Sequence, residues 1–255
     1  MYNYDAPDHL LTDKIVLVTG AGDGIGKALA KCYAAKGATV ILLGKTLRKL
    51  EEVYDEIEAA GHPRPAIAPL NLEVATDKDY EELANMIRNE FDRLDGIVHN
   101  AGILGTRTPI QHYSTEIWLK VMQINVNAPF QLTRALLPLL GKSASASIIF
   151  TSSSVGRKGR AYWGAYSVSK FAIEGLMQIL ADELDDKHSN IRVNSVNPGG
   201  TRTNMRASAY PAENPTNNPL PEEIMPVFLY LMGNDSEGVT GQAFNAQQVT
   251  HETNS

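Results

Sequence analysis

The chain has 255 residues, of which 43% are hydrophobic, and a net charge of −6 at pH 7. This length and apolar content allow one substantial core, so we expect a single domain over residues 1–255. The acidic balance disfavours nucleic acid and anionic membranes as partners. The single cysteine, Cys32, excludes an intramolecular disulfide. With no secretion signal and no run of about twenty apolar residues, we expect a cytoplasmic protein.

Short apolar runs alternate with amphipathic stretches along the chain, which predicts an α/β fold with a parallel sheet buried on both faces. The predicted strands are 15–19, 39–43, 66–70, 96–99, 147–151, 191–196 and 243–245. The predicted helices are 24–36, 47–60, 77–91, about 114–140, 166–186 and 221–232. Segment 203–220, rich in proline and asparagine, is predicted to be a substrate loop, either a mobile lid or a surface excursion.

A glycine-rich turn, Thr19-Gly20-Ala21-Gly22-Asp23-Gly24-Ile25-Gly26, joins the first strand to the first helix. Gly20 suits a tight turn, Gly24 allows backbone to approach a phosphate, and Gly26 permits close helix packing. A helix N-terminus at this place can bind a pyrophosphate. Because such turns also join strands to helices without any ligand, the motif alone leaves both interpretations open.

The end of the second strand indicates which dinucleotide is bound. A carboxylate is expected there for NAD(H), but this chain has Gly44 followed by Lys45. With a cation and no acid, NADP(H) is favoured over NAD(H), and Arg48 can assist. The alternative is that both cations only solvate a helix start. Asp23 supplies no phosphate-binding charge and is expected to cap the first helix.

Tyr166 and Lys170 are four residues apart and so share one face of a predicted helix. A phenol with a pKa of about 10 is poorly matched to proton transfer at neutral pH. Lowering that pKa by about three units needs about 4 kcal/mol, which we expect from Lys170 and an oxidised nicotinamide. This pair would arise by chance on many helices, so it needs further support.

That support comes from four further motifs. His99-Asn100-Ala101-Gly102 follows a strand, Asn125 lies on the long helix, Ser153 stands thirteen residues before Tyr166, and Pro198-Gly199 follows the sixth strand. With these motifs the chain resembles the classical short-chain dehydrogenases/reductases over nearly its whole length. Segments 99–102, 151–157 and 197–203 resemble the YciK-like bacterial branch, whose substrate the resemblance does not supply.

The resemblance implies a single-domain, Rossmann-like, doubly wound sheet flanked by helices that reduces a carbonyl or oxidises an alcohol. It assigns proton transfer to Tyr166, ribose binding to Lys170 and a proton relay through a water at Asn125, with Asn127 or a structural role as alternatives. Ser153 would polarise the carbonyl, with Ser152 and Ser154 as alternatives. The candidate cofactor-binding residues are Gly20, Gly24, Ile25, Gly26, Lys45, Asn71, Asn100, Ala101, Gly102, Tyr166, Lys170, Pro198, Gly199, Thr201 and Thr203.

Several features depart from the family pattern. His99 replaces an asparagine, Asn71 replaces an aspartate near the adenine, and the tail 245–248 lacks the usual Asp-Gly-Gly. Thr201 and Thr203 are either nicotinamide contacts or simple loop-bonding residues. The basic loop of Arg157, Lys158 and Arg160 either attracts an anionic substrate or is solvated surface.

The remaining expectations concern partners. The six scattered histidines give no metal-site signature, so we expect no metal. A homodimer or homotetramer acting on a small carbonyl or alcohol is implied by the resemblance. The alternative function is a non-catalytic NADP-sensing or interaction protein on the same fold. A sugar-nucleotide epimerase or dehydratase of the related extended group is disfavoured because little chain remains for a separate substrate domain.

Overall fold

The computed structural model describes residues 1–185 and 189–247. Its strands are β1 (Ile15–Thr19), β2 (Thr39–Gly44), β3 (Ala66–Pro69), β4 (Gly96–His99), β5 (Ala146–Thr151), β6 (Ile191–Asn197) and β7 (Ala243–Asn245). Its helices are α1 (Gly24–Ala35), α2 (Leu47–Ala59), α3 (Asp77–Phe91), α4 (Thr115–Met122), α5 (Ala128–Leu140), α6 (Gly164–Glu183), α7 (Asn204–Ala209) and α8 (Met225–Met232).

All seven strands pair in parallel in the order β3-β2-β1-β4-β5-β6-β7. Alternate residues of each strand lie on opposite faces of the sheet and belong to two different hydrophobic cores. Leu17 and Ile97 pack with α3, α5 and α6 on one face, while Val18 and Val98 pack with α1, α2 and α8 on the other. A sheet covered by helices on both faces explains the nearly continuous apolar strands. The predicted Rossmann-like, doubly wound parallel sheet is therefore confirmed.

The long helix predicted over 114–140 is not continuous. It begins close to the predicted residue, with Ser114 as its N-cap, but a π-helical turn at Gln123–Asn127 separates α4 from α5. Such a turn inserts one extra residue and turns side chains out of the regular helical register. Asn125 lies in this turn and is buried.

Two other predicted segments differ in detail. Segment 203–220 contains the short helix α7 and a 3₁₀ turn at Pro215–Asn217, which its composition did not predict. The last helix begins as a 3₁₀ turn at Pro221–Ile224 and becomes α-helical at Met225. The predicted end of helix 166–186, at Asp186, lies outside the described residues. In the part of the chain that is described, no helix is long and apolar enough to cross a membrane.

The strand order reverses at β1, whose neighbours β2 and β4 lead to opposite edges of the sheet. In parallel α/β sheets the crevice at such a switch point, beyond the carboxyl ends of the strands, is the usual place for a ligand. The segments that follow β1 and β4 carry the two glycine-containing motifs found in the sequence. The fold therefore brings those motifs to one crevice.

Candidate active site

A cavity of about 410 Å³ lies at the switch point. Twelve of the predicted site residues line it: Gly20, Gly24, Ile25, Lys45, Asn71, Asn100, Ala101, Gly102, Tyr166, Lys170, Pro198 and Thr203. A second cleft of about 130 Å³ is lined by Ser153, Gly199 and Thr201, and it shares Ile25, Tyr166, Pro198 and Thr203 with the larger cavity. Gly26 and Asn125 line neither space. Tyr166 therefore stands at the junction of the two cavities.

The glycine turn is shaped by close backbone packing. Gly20 and Gly24 have φ of 68° and 51°, in the left-handed region that favours glycine. A Cβ on Gly26 would overlap the carbonyl oxygen of Gly20 and lie 2.7 Å from the Asn100 amide nitrogen. Gly26 therefore supports the cavity from behind, and the predicted close packing at this residue is confirmed.

The turns after β1 and β4 are joined by Thr19. Its hydroxyl oxygen accepts hydrogen bonds from the backbone N–H groups of Asn100 and Ala101, both at 2.9 Å. The Asn100 side chain returns a bond to the Thr19 carbonyl oxygen at 3.2 Å. These bonds fix the floor of the cavity, a role of Thr19 that the motif spacing did not reveal.

Asp23 caps α1 as predicted, since its carboxylate accepts the N–H of Gly24 at 2.8 Å. The same side chain pairs with Lys49 at 2.6 Å, a contact that lowers the pKa of Asp23. Asn204 also donates to it, at 3.3 Å. The acid in the glycine turn is therefore neutralised by a lysine of α2.

The far end of the cavity is lined by Lys45, Thr46, Lys49 and Asn71. Arg48, expected to assist there, instead pairs with Glu52 at 3.0 Å on the exposed face of α2 and does not line the cavity. A helix turns successive residues by about 100°, so Arg48 and Lys49 face different directions. Lys49 is thus a lining cation that the sequence did not single out.

Tyr166 and Lys170 are both buried, with exposed fractions of 8% and 5%. The Lys170 ammonium lies 5.6 Å from the centre of the Tyr166 ring and donates to the Thr151 carbonyl oxygen at 2.6 Å. Burial lowers the pKa of Lys170 to about 8, and Glu174 opposes that shift.

The lowering of the Tyr166 pKa that we expect from Lys170 together with an oxidised nicotinamide stays a prediction, and in the protein alone the pKa shifts the other way. Burial raises the pKa of the Tyr166 phenol to about 12, and a hydrogen bond with the Ser153 side chain only partly offsets it. The Lys170 ammonium is directed to the Thr151 carbonyl and does not donate to the phenol. The phenol is therefore protonated at neutral pH.

The three serines at the end of β5 differ in their surroundings. Ser152 donates its hydroxyl to the carboxylate of Glu174 at 2.6 Å. Ser154 is exposed at the edge of the small cleft. Ser153 lies between them and is the serine whose side chain lowers the pKa of Tyr166. This arrangement favours Ser153 as the serine that faces a reacting oxygen.

Asn125 uses both hydrogens of its amide in protein contacts, one with the Ile103 carbonyl oxygen and one with the Ser169 hydroxyl, each at 3.0 Å. Its side-chain oxygen accepts the Ile103 N–H at 2.9 Å. A Cβ on Gly102 would lie 3.3 Å from that oxygen and 3.8 Å from the Lys170 ammonium. Asn125 thus anchors the loop after β4 beside Lys170, while the alternative, Asn127, bonds with Gln123 at the surface.

Thr201 and Thr203 both make local bonds. The Thr201 hydroxyl lies 3.4 Å from the carbonyl oxygens of Pro198 and Gly199. Thr203 is the N-cap of α7, where its hydroxyl oxygen accepts the N–H of Arg206 at 3.1 Å. Thr203 lines both cavities and Thr201 only the small cleft, so a cofactor contact at either threonine stays a prediction.

Behind the reactive side chains lies an ion pair between the buried Glu174 and the partly exposed Arg157, which the sequence did not predict. Arg157 donates to Glu174 at 2.9 Å and to the Asn245 side chain at 2.9 Å. Glu174 also accepts the hydroxyls of Ser152 and Ser195, at 2.6 and 2.7 Å. The pair joins α6, β6 and β7 behind Lys170, so Arg157 is not a solvated loop residue. The spacing of Glu174 four residues after Lys170 was the available signal.

The family departure at His99 has a packing explanation. Its ring stacks on Phe150 at 4.8 Å between centres, and its Nε2 lies 2.8 Å from the Thr133 hydroxyl. Complete burial lowers the pKa of His99 to about 3, so the ring is neutral. It supports the sheet without carrying charge. Among the residues described, no group of three or more His, Cys, Asp or Glu side chains could hold a metal ion.

Comparisons with known proteins agree with the family resemblance that the sequence motifs indicate. The family model described as short chain dehydrogenase matches residues 14–214. The uncharacterized oxidoreductase YciK of Escherichia coli K12 is 52% identical over 245 residues, which are 96% of either chain. A structure from Pseudomonas syringae, assigned to the short chain dehydrogenases, is 62% identical with a TM-score of 0.95 and covers 97% of this chain and 100% of its own.

A further similar structure, from Shigella flexneri, is likewise assigned to the short chain dehydrogenases and was solved in complex with NADP. It is 52% identical to this chain, with a TM-score of 0.92, and the match covers 95% of this chain and 100% of that one. Both structures thus share the whole described architecture, from the glycine turn to the last strand.

Proposed function

The chain belongs to the short chain dehydrogenase family of oxidoreductases, and we propose that it reduces a carbonyl or oxidises the corresponding alcohol with NADP(H). The observation that carries this proposal is the position of Tyr166. Its side chain borders both the 410 Å³ cavity and the 130 Å³ cleft. A cofactor in the first space and a substrate in the second would meet at this phenol.

The residues of the larger cavity fit a dinucleotide phosphate. Positive-φ glycines let the backbone approach a pyrophosphate at the start of α1, and no side chain of the turn other than Asp23 carries charge. At the adenosine end, Lys45 lines the cavity, and the Lys49 charge is already shared with Asp23. Lys45 therefore suits a 2′-phosphate, and the Shigella flexneri relative was solved with NADP.

When bound, the cofactor would supply or accept the hydride, and the protein must handle the proton. We propose that Tyr166 donates its phenolic proton to the carbonyl oxygen during reduction. Its raised pKa keeps that proton in place at neutral pH. Ser153 would donate a hydrogen bond to the same oxygen, which strengthens as negative charge develops there.

Lys170 would hold positive charge beside the phenolate that forms. With a pKa near 8 its side chain is mainly protonated at pH 7. We propose that Asn125 acts as a positioning residue, because its amide fixes the loop at Ile103 next to Lys170. A proton relay past Asn125 is an expectation of the family resemblance.

The exposed apolar side chains of two helices support a homo-oligomer. Phe130 on α5 and Val168, Phe171 and Ile179 on α6 are each more than 40% exposed. Clusters of exposed apolar groups are typical of contact surfaces. We propose a homodimer or homotetramer built on these two helices. We also propose that the chain forms a single domain organised on the one sheet.

The proposed reaction is tested by following NADPH oxidation over a panel of aldehydes, ketones and quinones. Turnover of at least one compound is expected, together with a fall of about 10²–10⁴-fold in kcat for Tyr166→Phe, the usual worth of acid–base catalysis. NADPH binding to the variant is expected to stay within threefold of wild type. Full turnover by Tyr166→Phe would refute the acid assignment, and tight NADPH binding without turnover of any compound would favour a sensor.

A further inference from the structure

The small cleft beyond Tyr166 has an aromatic wall. The Trp163 ring centre lies 5.8 Å from that of Tyr166 and 6.0 Å from that of Tyr210. Ala209 and Leu104 pack against the same rings. A substrate whose carbonyl reaches Tyr166 would therefore lay an apolar or aromatic body along this wall.

Three arginines lie close to the same aromatic wall. Arg160 and Arg206 line the cleft, and the Arg107 guanidinium carbon lies 4.8 Å from the Trp163 ring centre and 4.9 Å from that of Tyr210. Arg206 is neutralised, because Glu213 accepts two bonds from its guanidinium at 2.6 Å. Concentrated charge of one sign in a cleft attracts ligands of the opposite sign.

Arg107 and Arg160 differ in the contacts that hold their side chains in place. Arg107 donates to the Ala209 carbonyl oxygen and rests on the aromatic rings, so it is a fixed part of the wall. Within residues 1–185 and 189–247, no side-chain hydrogen bond or ion pair holds Arg160, and no carboxylate lies within 4.0 Å of either guanidinium. The net charge of the chain is −6, but here one guanidinium, Arg160, lines the cleft and a second, Arg107, stacks on its aromatic wall.

A planar guanidinium fork matches a carboxylate with two parallel hydrogen bonds. A phosphate has three strong acceptor oxygens. It needs more hydrogen-bond donors than the one guanidinium of Arg160 supplies. The charge and shape of the cleft therefore fit a monoanion better than a phosphate.

Resting on the proposed carbonyl chemistry, we propose that the natural substrate carries a carboxylate that Arg160 binds at the mouth of the cleft. Arg107 adds positive potential from its fixed place on Trp163. The substrate class is thus a small aromatic or apolar carbonyl acid, or the corresponding hydroxy acid. The carbonyl lies at Tyr166 and Ser153, and the carboxylate at the opposite end.

A matched pair of aldehydes tests this assignment. 4-Carboxybenzaldehyde and methyl 4-formylbenzoate share one ring and one aldehyde, and the ester replaces the negative charge of the acid with a methyl group. With NADPH, kcat/KM for the acid is expected to exceed that for the ester about tenfold or more. Arg160→Gln is expected to lower this acid-to-ester ratio about tenfold, mainly through KM of the acid.

Lys158→Gln is the matched control. Lys158 lies in the same loop and loses the same charge, but it does not line the cleft. The acid-to-ester ratio of this variant is expected to equal that of wild type. An equal fall in both variants, or a wild-type ratio near one, would overturn the proposal.

Binding provides a readout that needs no turnover. Calorimetry on the NADP⁺-loaded protein is expected to show benzoate binding that benzamide lacks and that Arg160→Gln weakens about tenfold. If benzoate binds in this way but no aldehyde is reduced, the carboxylate site stands and the proposed reaction fails. If aldehydes are reduced while benzoate does not bind, or binds independently of Arg160, the reaction stands and the carboxylate site fails.

Discussion

The two cavities that meet at Tyr166 are built differently. The larger one is lined largely by the segments at the ends of β1, β2, β3 and β4, and glycine conformation and close packing set the shape of the turn after β1. The smaller cleft is formed by side chains from four separated segments, with Arg160, Trp163 and Tyr210 among them. Backbone turns leave a readable motif in the sequence, whereas a wall assembled from distant side chains does not.

The largest expected effect comes from breaking the backbone packing of the larger cavity. Gly26→Ala places a Cβ against the Gly20 carbonyl oxygen, which is not a flexible group that can move aside. We expect a loss of about 3 kcal/mol or more in the free energy of unfolding, because overpacking forces backbone shifts. Urea denaturation measures it.

Gly159→Ala is the control for this substitution. A Cβ at Gly159 meets nothing within 4 Å, so a change within about 0.5 kcal/mol is expected, as for ordinary surface substitutions. Equal stability of the two variants would show that the glycine turn is less tightly packed than the structure indicates.

The second effect tests whether side chains hold the smaller cleft. Glu174→Gln removes the charge that faces Arg157 and replaces one of the two carboxylate oxygens that accept the serine hydroxyls with an NH2 group. We expect a loss of about 2–3 kcal/mol, somewhat below the usual cost of an unpaired buried ion because Arg157 is partly exposed. Chemical denaturation measures the loss.

The same variant has a signature in the pH profile of kcat. Glu174 raises the pKa of Lys170, so its neutralisation moves the alkaline fall in kcat to lower pH. Glu183→Gln, an exposed change on the same helix, is expected to change neither stability nor profile. If Glu174→Gln is destabilised but the alkaline fall in its kcat stays at the wild-type pH, Glu174 has only a structural role.

The third effect concerns the buried ammonium of Lys170, close to Tyr166 at the junction of the two cavities. Burial lowers the pKa of Lys170 from 10.5 to about 8. Between these values the unfolded chain holds the proton and the folded protein does not, so the contribution of Lys170 to stability rises with pH. Relative to Lys170→Met, the unbound wild type is expected to gain about 2 kcal/mol between pH 7 and pH 9.5. Paired urea titrations at the two pH values measure this gain, and a constant difference would contradict the burial of the charge.

The smallest effect tests Lys45, a side chain of the larger cavity that is expected to bind the 2′-phosphate of the cofactor. Lys45→Ala is expected to raise the Kd for NADPH about tenfold, or about 1.4 kcal/mol, and to leave the Kd for NADH within twofold. Arg48→Ala, which removes a cation already paired with Glu52, should leave both constants unchanged. Fluorescence titration with each cofactor measures them, and equal losses for NADPH and NADH would exclude 2′-phosphate recognition by Lys45.

Most of the fold was predictable because its strands and helices have strong local signals. The seven strands, the cap at Asp23 and the glycine turn all follow from contacts between residues close in sequence. The π-helical turn at Gln123–Asn127 was not predicted, because one inserted residue barely changes an apolar pattern. Helix α7 was missed since proline and asparagine around it are typical of loops.

The features of the site also divide into those with a local sequence signal and those without one. The sequence by itself determined the glycine turn, the helical pairing of Tyr166 with Lys170 and the sheet that brings them to one crevice, because each depends on short-range periodicity and conformation. Only the tertiary structure decided that Arg157 pairs with the buried Glu174, that Lys49 rather than Arg48 lines the cavity, and that Arg160 borders the cleft. The direction in which a charged side chain points is set by partners distant along the chain, and such partners leave no local pattern.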